Sequence, residues 1–389
     1  MGVEDPELTI SSSSKSRFVA EFEGLRGILA AWVVFGHILL ISGFTYRDDW
    51  FGILFSPVLG VYAFMMLSGF VITAALDQRP STWAGFMLRR FFRLFPVYAL
   101  CMSLAIILFD VSLCISQAPA MAEFGRQNLE RLQDVERNFG IYVLADVTLL
   151  QCLLPKSCYP HANETFLVPT WSLTIEWLFY IVAPFLIWMI NRKILAAALG
   201  ISGGMLLLVV FDKEFARWND SFSINNAMHF LTGIASYYVW KYLPERKSCI
   251  WVRFGLWCAI LAFFIPLNLP YKIWLAVMAV ILYRRVHSGS FFFFEWPRQV
   301  LLSRPLQFLG RVSYVTYLLH WIVIEIVVFW LVQICPGVTD KFQVAAVCTA
   351  AVFPVTYVIS DIIHRYLEVP LMNIPKRWGK SSIELANPC

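Results

Sequence analysis

Residues 306–333 read LQFLGRVSYVTYLLHWIVIEIVVFWLVQ, an apolar run interrupted by few charges. A helix of about 20 mostly apolar residues is long enough to cross the hydrocarbon core of a bilayer. Comparable runs recur along the chain and predict an all-α fold, a polytopic transmembrane helical bundle of about ten spans. The candidate spans are 27–44, 51–76, 93–114, 166–190, 194–211, 222–240, 250–267, 270–286, 306–333 and 341–363.

The composition agrees with a membrane protein. The 389 residues are 59% hydrophobic and only 15% charged, whereas soluble domains are about 45–50% apolar and about 25% charged. Disordered chains, fibrous proteins and most soluble enzymes are therefore excluded. A net charge of +5 is too mild to predict binding of nucleic acid, and the nine cysteines form no CxxC pair, so we expect no metal site. Membrane lipid is the expected partner.

The chain divides into a membrane domain and two short tails. We expect a polar tail over 1–17, a membrane domain over 18–370 and a tail over 371–389. Most basic residues fall in segments that become cytosolic when the N-terminus is cytosolic, as the positive-inside rule requires. Both tails are then cytosolic and a long loop, about 115–165, is on the outer side, in the endomembrane system or the plasma membrane. A charged stretch within that loop, Glu123–Arg137, predicts a helix.

Two glycosylation sequons lie on the outer side in this topology. They begin at Asn163 and Asn219, each followed two residues later by a hydroxyl residue. Such asparagines are acceptors for N-glycans in a eukaryotic host, so both are predicted glycosylation sites.

The first span carries two ionisable residues on one face. Arg26 and His37 are 11 residues apart, about three turns, with a rise of roughly 16 Å. Ionisable groups within a span usually mark function. One interpretation is an anion held by Arg26 with chemistry at His37. The alternative is an arginine that reaches the interface and a histidine bonded to a backbone carbonyl.

A basic cluster precedes the bulk of the third span. Arg89, Arg90 and Arg93 match the paired-donor geometry that phosphate groups prefer. One interpretation is a clamp for the phosphates of a nucleotide-like cofactor. The alternative is a determinant of topology alone.

Two later helices also bear polar residues at helical spacing. Ser172, Glu176 and Tyr180 recur every four residues and share one face, and a carboxylate in an apolar run needs a partner. Tyr317 and His320 lie on one stripe of a later span. We weigh a substrate pocket formed by Ser172, Tyr317 and His320 against structural hydrogen bonds between helices.

Taken together, five stretches resemble the motifs of the acyltransferase-3 family of polytopic membrane O-acyltransferases. The resemblance covers about residues 18–370. The motifs are, in order, GLRG at 24–27 followed by His37, LSGF at 67–70, RRxxR at 89–93, WSLxxEWxFY at 171–180 and SYxxYLxHW at 313–321.

The resemblance implies an activity and a co-substrate. Similar proteins move an acyl group, often acetyl, from cytosolic acyl-CoA to a hydroxyl of a small metabolite, lipid or glycan. Many bacterial members carry a fused outer domain, and we expect none here, because little sequence follows the last predicted span. We therefore expect a eukaryotic, fungal-type member that acts on a compact acceptor such as a secondary metabolite. The oligomeric state is not predicted.

The resemblance also implies roles for individual residues. The catalytic group would be Arg26, His37 as the general base, and Glu176, which would orient His37 as in a triad. The CoA phosphates would be held by Arg90 and Arg93, with Arg89 adjacent. His320 matches the family's late histidine.

A secondary transporter is the competing class. Intramembrane His, Glu and Arg side chains also form proton relays and substrate paths in transporters. The absence of repeated halves and the basic cluster on one side disfavour this alternative.

Overall fold

The computed structural model describes residues 19–45, 50–78, 81–118, 121–192, 218–219, 224–243, 268–286, 292–335 and 337–375 except 339, with scattered positions between 196 and 211. Within these residues every regular element is helical, and the core consists of helices packed on helices. The predicted all-α class is therefore confirmed. The predicted tail 1–17 and most of the tail 371–389 lie outside the described residues.

The helices are numbered here in chain order. They are α1 (Glu21–Ile41), α2 (Trp50–Leu54), α3 (Pro57–Gln78), α4 (Trp83–Ile107), α5 (Phe109–Gln117), α6 (Ala122–Arg137), α7 (Phe139–Val147), α8 (Trp171–Arg192), α9 (Ile224–Tyr242), α10 (Leu269–Val286), α11 (Phe292–Leu301), α12 (Arg304–Arg311), α13 (Ser313–Ile334), α14 (Lys341–Ile363) and α15 (Val369–Met372), with a π-helical turn at His364–Glu368.

Six helical stretches among the described residues are long and apolar enough to span a membrane. They are Glu21–Ile41, Trp50–Gln78, Trp83–Ile107, Val168–Arg192, Ser313–Ile334 and Lys341–Met372. The chain is thus an integral membrane protein, but the predicted number of about ten spans is not confirmed. Predicted spans 222–240 and 270–286 are helical, as α9 and α10. Predicted span 250–267 lies wholly outside the described residues, and 194–211 lies partly outside them.

Two of the spans form the inner layer of the bundle. Of the 18 most apolar consecutive residues, 67% are buried in α1 and in α13. The corresponding fraction is 28% in the stretches Val168–Arg192 and Lys341–Met372. Helix α1 packs on α3, α12 and α13, and α13 also packs on α4, α5 and α14. The residues on α1 and α13 are therefore the ones best shielded from lipid.

Polar residues just outside the spans define where helices begin. The Thr82 hydroxyl accepts a hydrogen bond from the backbone N–H of Gly85 at 3.2 Å at the start of α4. The Asp340 carboxylate accepts one from the backbone N–H of Gln343 at 2.8 Å at the start of α14. Each side chain satisfies one of the amide groups that a helix N-terminus leaves unpaired.

Glycines in two of the motifs allow close helix packing. A Cβ atom on Gly24 or Gly27 would collide with backbone atoms of α11 and α12, and one on Gly69 would collide with the carbonyl oxygen of Phe230 in α9. In return, a Cβ on Gly233 of α9 would collide with the backbone of α3. Small residues at such contacts are typical of membrane bundles. The GLRG and LSGF motifs thus set the distances between α1, α3 and their neighbours.

We predict that Gly69→Ala destabilises the protein because the added methyl group must displace backbone of α9. Overpacking of this kind costs about 1–3 kcal/mol. The measurement is the melting temperature of the detergent-solubilised protein, followed by size-exclusion chromatography after heating. Gly140→Ala in α7 is the control, since a Cβ there meets no atom within 4 Å. Equal melting temperatures for the two variants would contradict the packing argument.

A helical subdomain, here called the cap, comprises residues 109–170 and connects α4 to α8. It contains α5, α6, α7 and three 3₁₀ turns at Gln151–Leu153, Ala162–Glu164 and Val168–Thr170. Helix α6 confirms the helix predicted within the loop 115–165. The cap follows the C-terminal end of α4, whereas Arg90 and Arg93 lie near its N-terminal end. The cap and the basic cluster are therefore at opposite ends of that helix.

Buried polar groups hold the cap together. The Arg131 guanidinium is 4% exposed and donates from Nη1 to the carbonyl oxygens of Glu164 and Thr165, the latter at 2.8 Å. The Asp146 carboxyl is fully buried and accepts a hydrogen bond from the Thr165 hydroxyl. Burial raises the pKa of the Asp146 carboxyl to about 8, although the hydrogen bond from Thr165 acts in the opposite direction. Asp146 is therefore protonated in the folded protein at neutral pH.

We predict that Asp146→Asn becomes more stabilising, relative to the native protein, as the pH rises from about 4 to about 8. The unfolded carboxyl has a pKa of about 3.9, so over this range the unfolded chain releases a proton that the folded chain retains. The raised folded-state pKa thus contributes stability that is present below about pH 4 and is lost as the pH approaches 8.

The measurement is the melting temperature at pH 5, 6.5 and 8 for the native protein and Asp146→Asn. The control is Asp110→Asn, which removes an exposed carboxylate from α5. A pH-independent difference between native protein and Asp146→Asn would show that Asp146 is ionised in the folded state.

Candidate active site

A cavity opens between α1, α3, α4, α8 and α13. Arg26, Arg90 and Arg93 line it together with Ser172 and Tyr317. Arg90 lies over the ring of Tyr180, two turns along α8 from Ser172, and two turns correspond to about 12 Å. The cavity therefore has an arginine end and, further along α8, an end formed by two hydroxyl groups.

Two of the clustered arginines reach the cavity. Arg90 and Arg93, three residues apart on α4, both line it. The Arg90 guanidinium lies 5.2 Å from the ring centroid of Phe86 and 5.4 Å from that of Tyr180. Such stacking holds a guanidinium in place without neutralising its charge.

Arg89 faces away from the cavity. Its guanidinium is exposed and donates a hydrogen bond to the Ser81 hydroxyl at 2.7 Å. The structure thus brings Arg26, Arg90 and Arg93 together and leaves the third arginine of the predicted clamp on the surface.

Glu176 lies at the arginine end. Its carboxylate accepts hydrogen bonds from the Ser68 hydroxyl at 2.7 Å and from the Tyr180 hydroxyl. Among the described residues that line the cavity it is the one carboxylate, and it faces three guanidinium groups. Arg26 also approaches Glu23, but only to 3.5 Å. The arginine end therefore carries an excess of positive charge.

Two hydroxyl groups close the other end of the cavity. The hydroxyl oxygens of Ser172 and Tyr317 are 2.7 Å apart, and the Tyr317 hydroxyl donates to the carbonyl oxygen of Pro169 at 2.8 Å. These bonds connect α13 to the 3₁₀ turn that precedes α8. Of the predicted pocket residues Ser172, Tyr317 and His320, the first two line this cavity, whereas His320 is not among its lining residues.

A pair of histidines lies behind Tyr317. The ring centroids of Tyr317 and His320 are 6.1 Å apart, and those of His320 and His37 are 5.2 Å apart. The Trp321 ring packs edge-on against His37 with a centroid distance of 5.3 Å. His37 is 6% exposed and His320 is fully buried. Ring contacts thus connect Tyr317 of the cavity wall to His320 and His320 to His37, although neither histidine lines the cavity.

The structure does not join Glu176 to His37 by a hydrogen bond. The partners of Glu176 are Ser68 and Tyr180, whereas the ring neighbours of His37 both come from α13. The sequence placed both groups inside the membrane correctly, but it could not show which helix each one faces.

The sequence analysis assigned no role to a buried carboxylate of α13. Glu325 is 3% exposed, and its Oε1 accepts hydrogen bonds from the Ser112 hydroxyl at 2.6 Å and from the Trp321 indole N–H at 3.0 Å. It thereby ties α5 of the cap to the tryptophan that packs on His37. The signal was a carboxylate within an apolar span, four residues after Trp321.

The two sequon asparagines contact each other. Nδ2 of Asn163 donates to Oδ1 of Asn219 at 2.9 Å, and Nδ2 of Asn219 donates in return at 2.9 Å. Asn219 is 2% exposed. A glycan on either amide nitrogen would have to be accommodated beside this contact, and both asparagines stay predicted glycosylation sites.

The fold and the cavity define a helical integral membrane protein with a cation-rich pocket that ends near two histidines. In the described residues, no cluster of three or more His, Cys, Asp or Glu side chains is arranged to hold a metal ion. A family model described as an acyltransferase domain matches residues 19–365, and the chain belongs to the acyltransferase-3 family. No curated protein and no solved structure matches the chain.

Proposed function

We propose that the protein transfers an acyl group, acetyl in the first instance, from acyl-CoA to a hydroxyl of a small metabolite, a lipid or a glycan. The observation that carries the proposal is a single cavity with three arginines at one end and, beyond the Ser172–Tyr317 pair at the other, the two histidines. An acyl donor with a highly charged end and a reactive end at a distance fits such a site.

The arginine end is the proposed binding site for the CoA phosphates. Arg26, Arg90 and Arg93 exceed the carboxylates at this end, and a phosphate anion would neutralise the excess. Arginine suits this role because its planar guanidinium donates pairs of hydrogen bonds to phosphate oxygens. Since acyl-CoA is cytosolic, the proposal also places this end and both chain termini on the cytosolic side.

The spacing along α1 suits the length of the donor. Arg26 and His37 are separated by a rise of roughly 16 Å, about the length of extended pantetheine. A CoA molecule with its phosphates at Arg26 would thus carry its thioester toward the histidines.

In the proposed reaction His37 is the general base. It accepts the proton of the acceptor hydroxyl while the hydroxyl oxygen attacks the thioester carbonyl carbon. The C–S bond then breaks, and the CoA thiolate takes the proton from His37 and leaves as the thiol. Glu176, which bonds to Ser68 and Tyr180, is assigned to shaping the donor pocket.

We predict that Arg93→Ala raises the KM for acetyl-CoA by about 10- to 100-fold, since hydrogen bonds to charged groups contribute about 1.5–3 kcal/mol. Arg89→Ala is the matched control and should change KM by less than about fivefold, because exposed charge pairs contribute roughly 0–1 kcal/mol. Steady-state kinetics in membranes would measure both. Equal effects of the two substitutions would indicate a general electrostatic role for the cluster.

We predict that His37→Ala lowers acyl transfer by about 10²- to 10⁴-fold, the usual contribution of a general base. Membranes that contain the native protein or His37→Ala, matched for expression and melting temperature, are incubated with labelled acetyl-CoA and host metabolites and lipids. A labelled product that depends on His37 identifies the acceptor.

The same experiment separates the enzyme from the transporter. If neither acetyl-CoA nor longer acyl-CoAs yield a product that depends on His37, acyl transfer by this protein is refuted and transport becomes the better proposal.

A further inference from the structure

The hydrogen-bonding state of His320 follows from its neighbour in α13. Its ring Nδ1 lies 3.1 Å from the backbone carbonyl oxygen of Thr316. A carbonyl oxygen can only accept, so Nδ1 carries the proton and Nε2 of the neutral ring carries a lone pair. That Nε2 is buried and has no hydrogen-bond partner in the described part of the chain.

His37 also has a ring nitrogen without a hydrogen bond. Its Nδ1 is also buried without a hydrogen-bond partner within the described residues. The other aromatic neighbour of His37, Trp321, donates its one N–H to Glu325 and so has no polar group to offer. If Nε2 of His37 is to accept a proton from a substrate, Nδ1 must carry the other hydrogen. The two neighbouring rings then carry a buried N–H and a buried lone pair, and leaving both unbonded is unfavourable.

We propose that His320 is the positioning residue for His37. In this arrangement, which rests on the proposed function, Nδ1–H of His37 donates to Nε2 of His320, while Nδ1–H of His320 donates to the Thr316 carbonyl. The bond fixes the tautomer of His37, directs its Nε2 to the acceptor hydroxyl and stabilises the imidazolium that forms. The proton on His320 stays on Nδ1 throughout.

The ring geometry is compatible with this bond. The centroids of His37 and His320 are 5.2 Å apart and the ring planes are inclined by 34°, and this separation is about that of two imidazole rings joined by an N–H···N bond of about 3 Å. Carboxylates fill the corresponding position in many triads. Here the carboxylate that the sequence suggested, Glu176, is already bonded to Ser68 and Tyr180.

Two amide substitutions at one position test the proposal. In His320→Gln the amide can occupy the position of Nε2, where its oxygen can accept from His37. In His320→Asn the amide can reach only the position of Nδ1. The two side chains have the same polar group, so the comparison isolates the acceptor that faces His37. His320→Leu removes both nitrogens.

We expect kcat for acetyl transfer to fall at least about tenfold in His320→Asn and His320→Leu, with KM for acetyl-CoA unchanged within about twofold. Loss of the partner that orients a catalytic histidine costs up to about 10⁴-fold in kcat. His320→Gln should retain at least several times the kcat of His320→Asn. The control Ser360→Ala, which removes the acceptor of a buried 3.1 Å hydrogen bond from the Thr316 hydroxyl, should keep native kcat.

Equal kcat values for the Gln and Asn variants, or native kcat in His320→Leu, would overturn the proposal. The Gln–Asn comparison remains decisive even where the Leu variant does not fold. A native protein with no transfer activity would instead refute the proposed function, so the two failures are distinguishable.

Discussion

A guanidinium group inside a membrane protein needs an anionic or polar partner, and this cavity holds more guanidinium groups than carboxylates. Charge within a span is tolerated chiefly where it faces a cavity or a partner. Stacking on Phe86 and Tyr180 fixes Arg90, and Glu176 balances a part of the charge. The remaining positive charge makes the site suited to a polyanion. The surrounding helices hold the three guanidinium groups in this arrangement.

Close packing around α1 is what brings Arg26 to the cavity. Gly24 and Gly27 flank it in sequence and allow the backbones of α11 and α12 to approach α1. Because two neighbouring helices contact α1 through these glycines, the remaining face of the helix is fixed toward α3 and α13. The GLRG motif therefore combines a packing role for its glycines with a position in the cavity for its arginine.

The sequence predicted the helices and the face relationships better than the contacts between helices. The length of the apolar runs located the spans, because the thickness of the hydrocarbon core sets the length that a spanning helix needs. Helical spacing also placed Ser172 and Glu176 on one face, and both line the cavity. Spacing carries no information on which neighbouring helix that face meets, so the pairing of Glu176 with Ser68 and of His37 with His320 required the structure.

The mutual contact of Asn163 and Asn219 shows the same limit, because 56 residues separate them in the chain. Periodicity also could not separate the clustered arginines. Arg89 and Arg93 are four residues apart and share a helix face by spacing as closely as Arg90 and Arg93 do. The structure was needed to show that Arg90 and Arg93 line the cavity while Arg89 bonds to Ser81 on the surface.

In the proposed function the arginines that bind the donor phosphates and the histidine that receives the proton lie at different ends of the site, which restricts how the acceptor can enter. In the proposed reaction the donor occupies the arginine end and extends along the cavity, so the acceptor must reach His37 from another direction. The cap is bonded to that region through Ser112, Glu325 and Trp321, the last of which packs on His37. A side chain that packs on His37 is thus tied to a helix of the cap, and the packing of the cap and the surroundings of His37 are linked by two hydrogen bonds to one carboxylate oxygen. The cap is therefore a structural part of the histidine site, and the buried carboxylate of Glu325 in an otherwise apolar span is the group that connects the two.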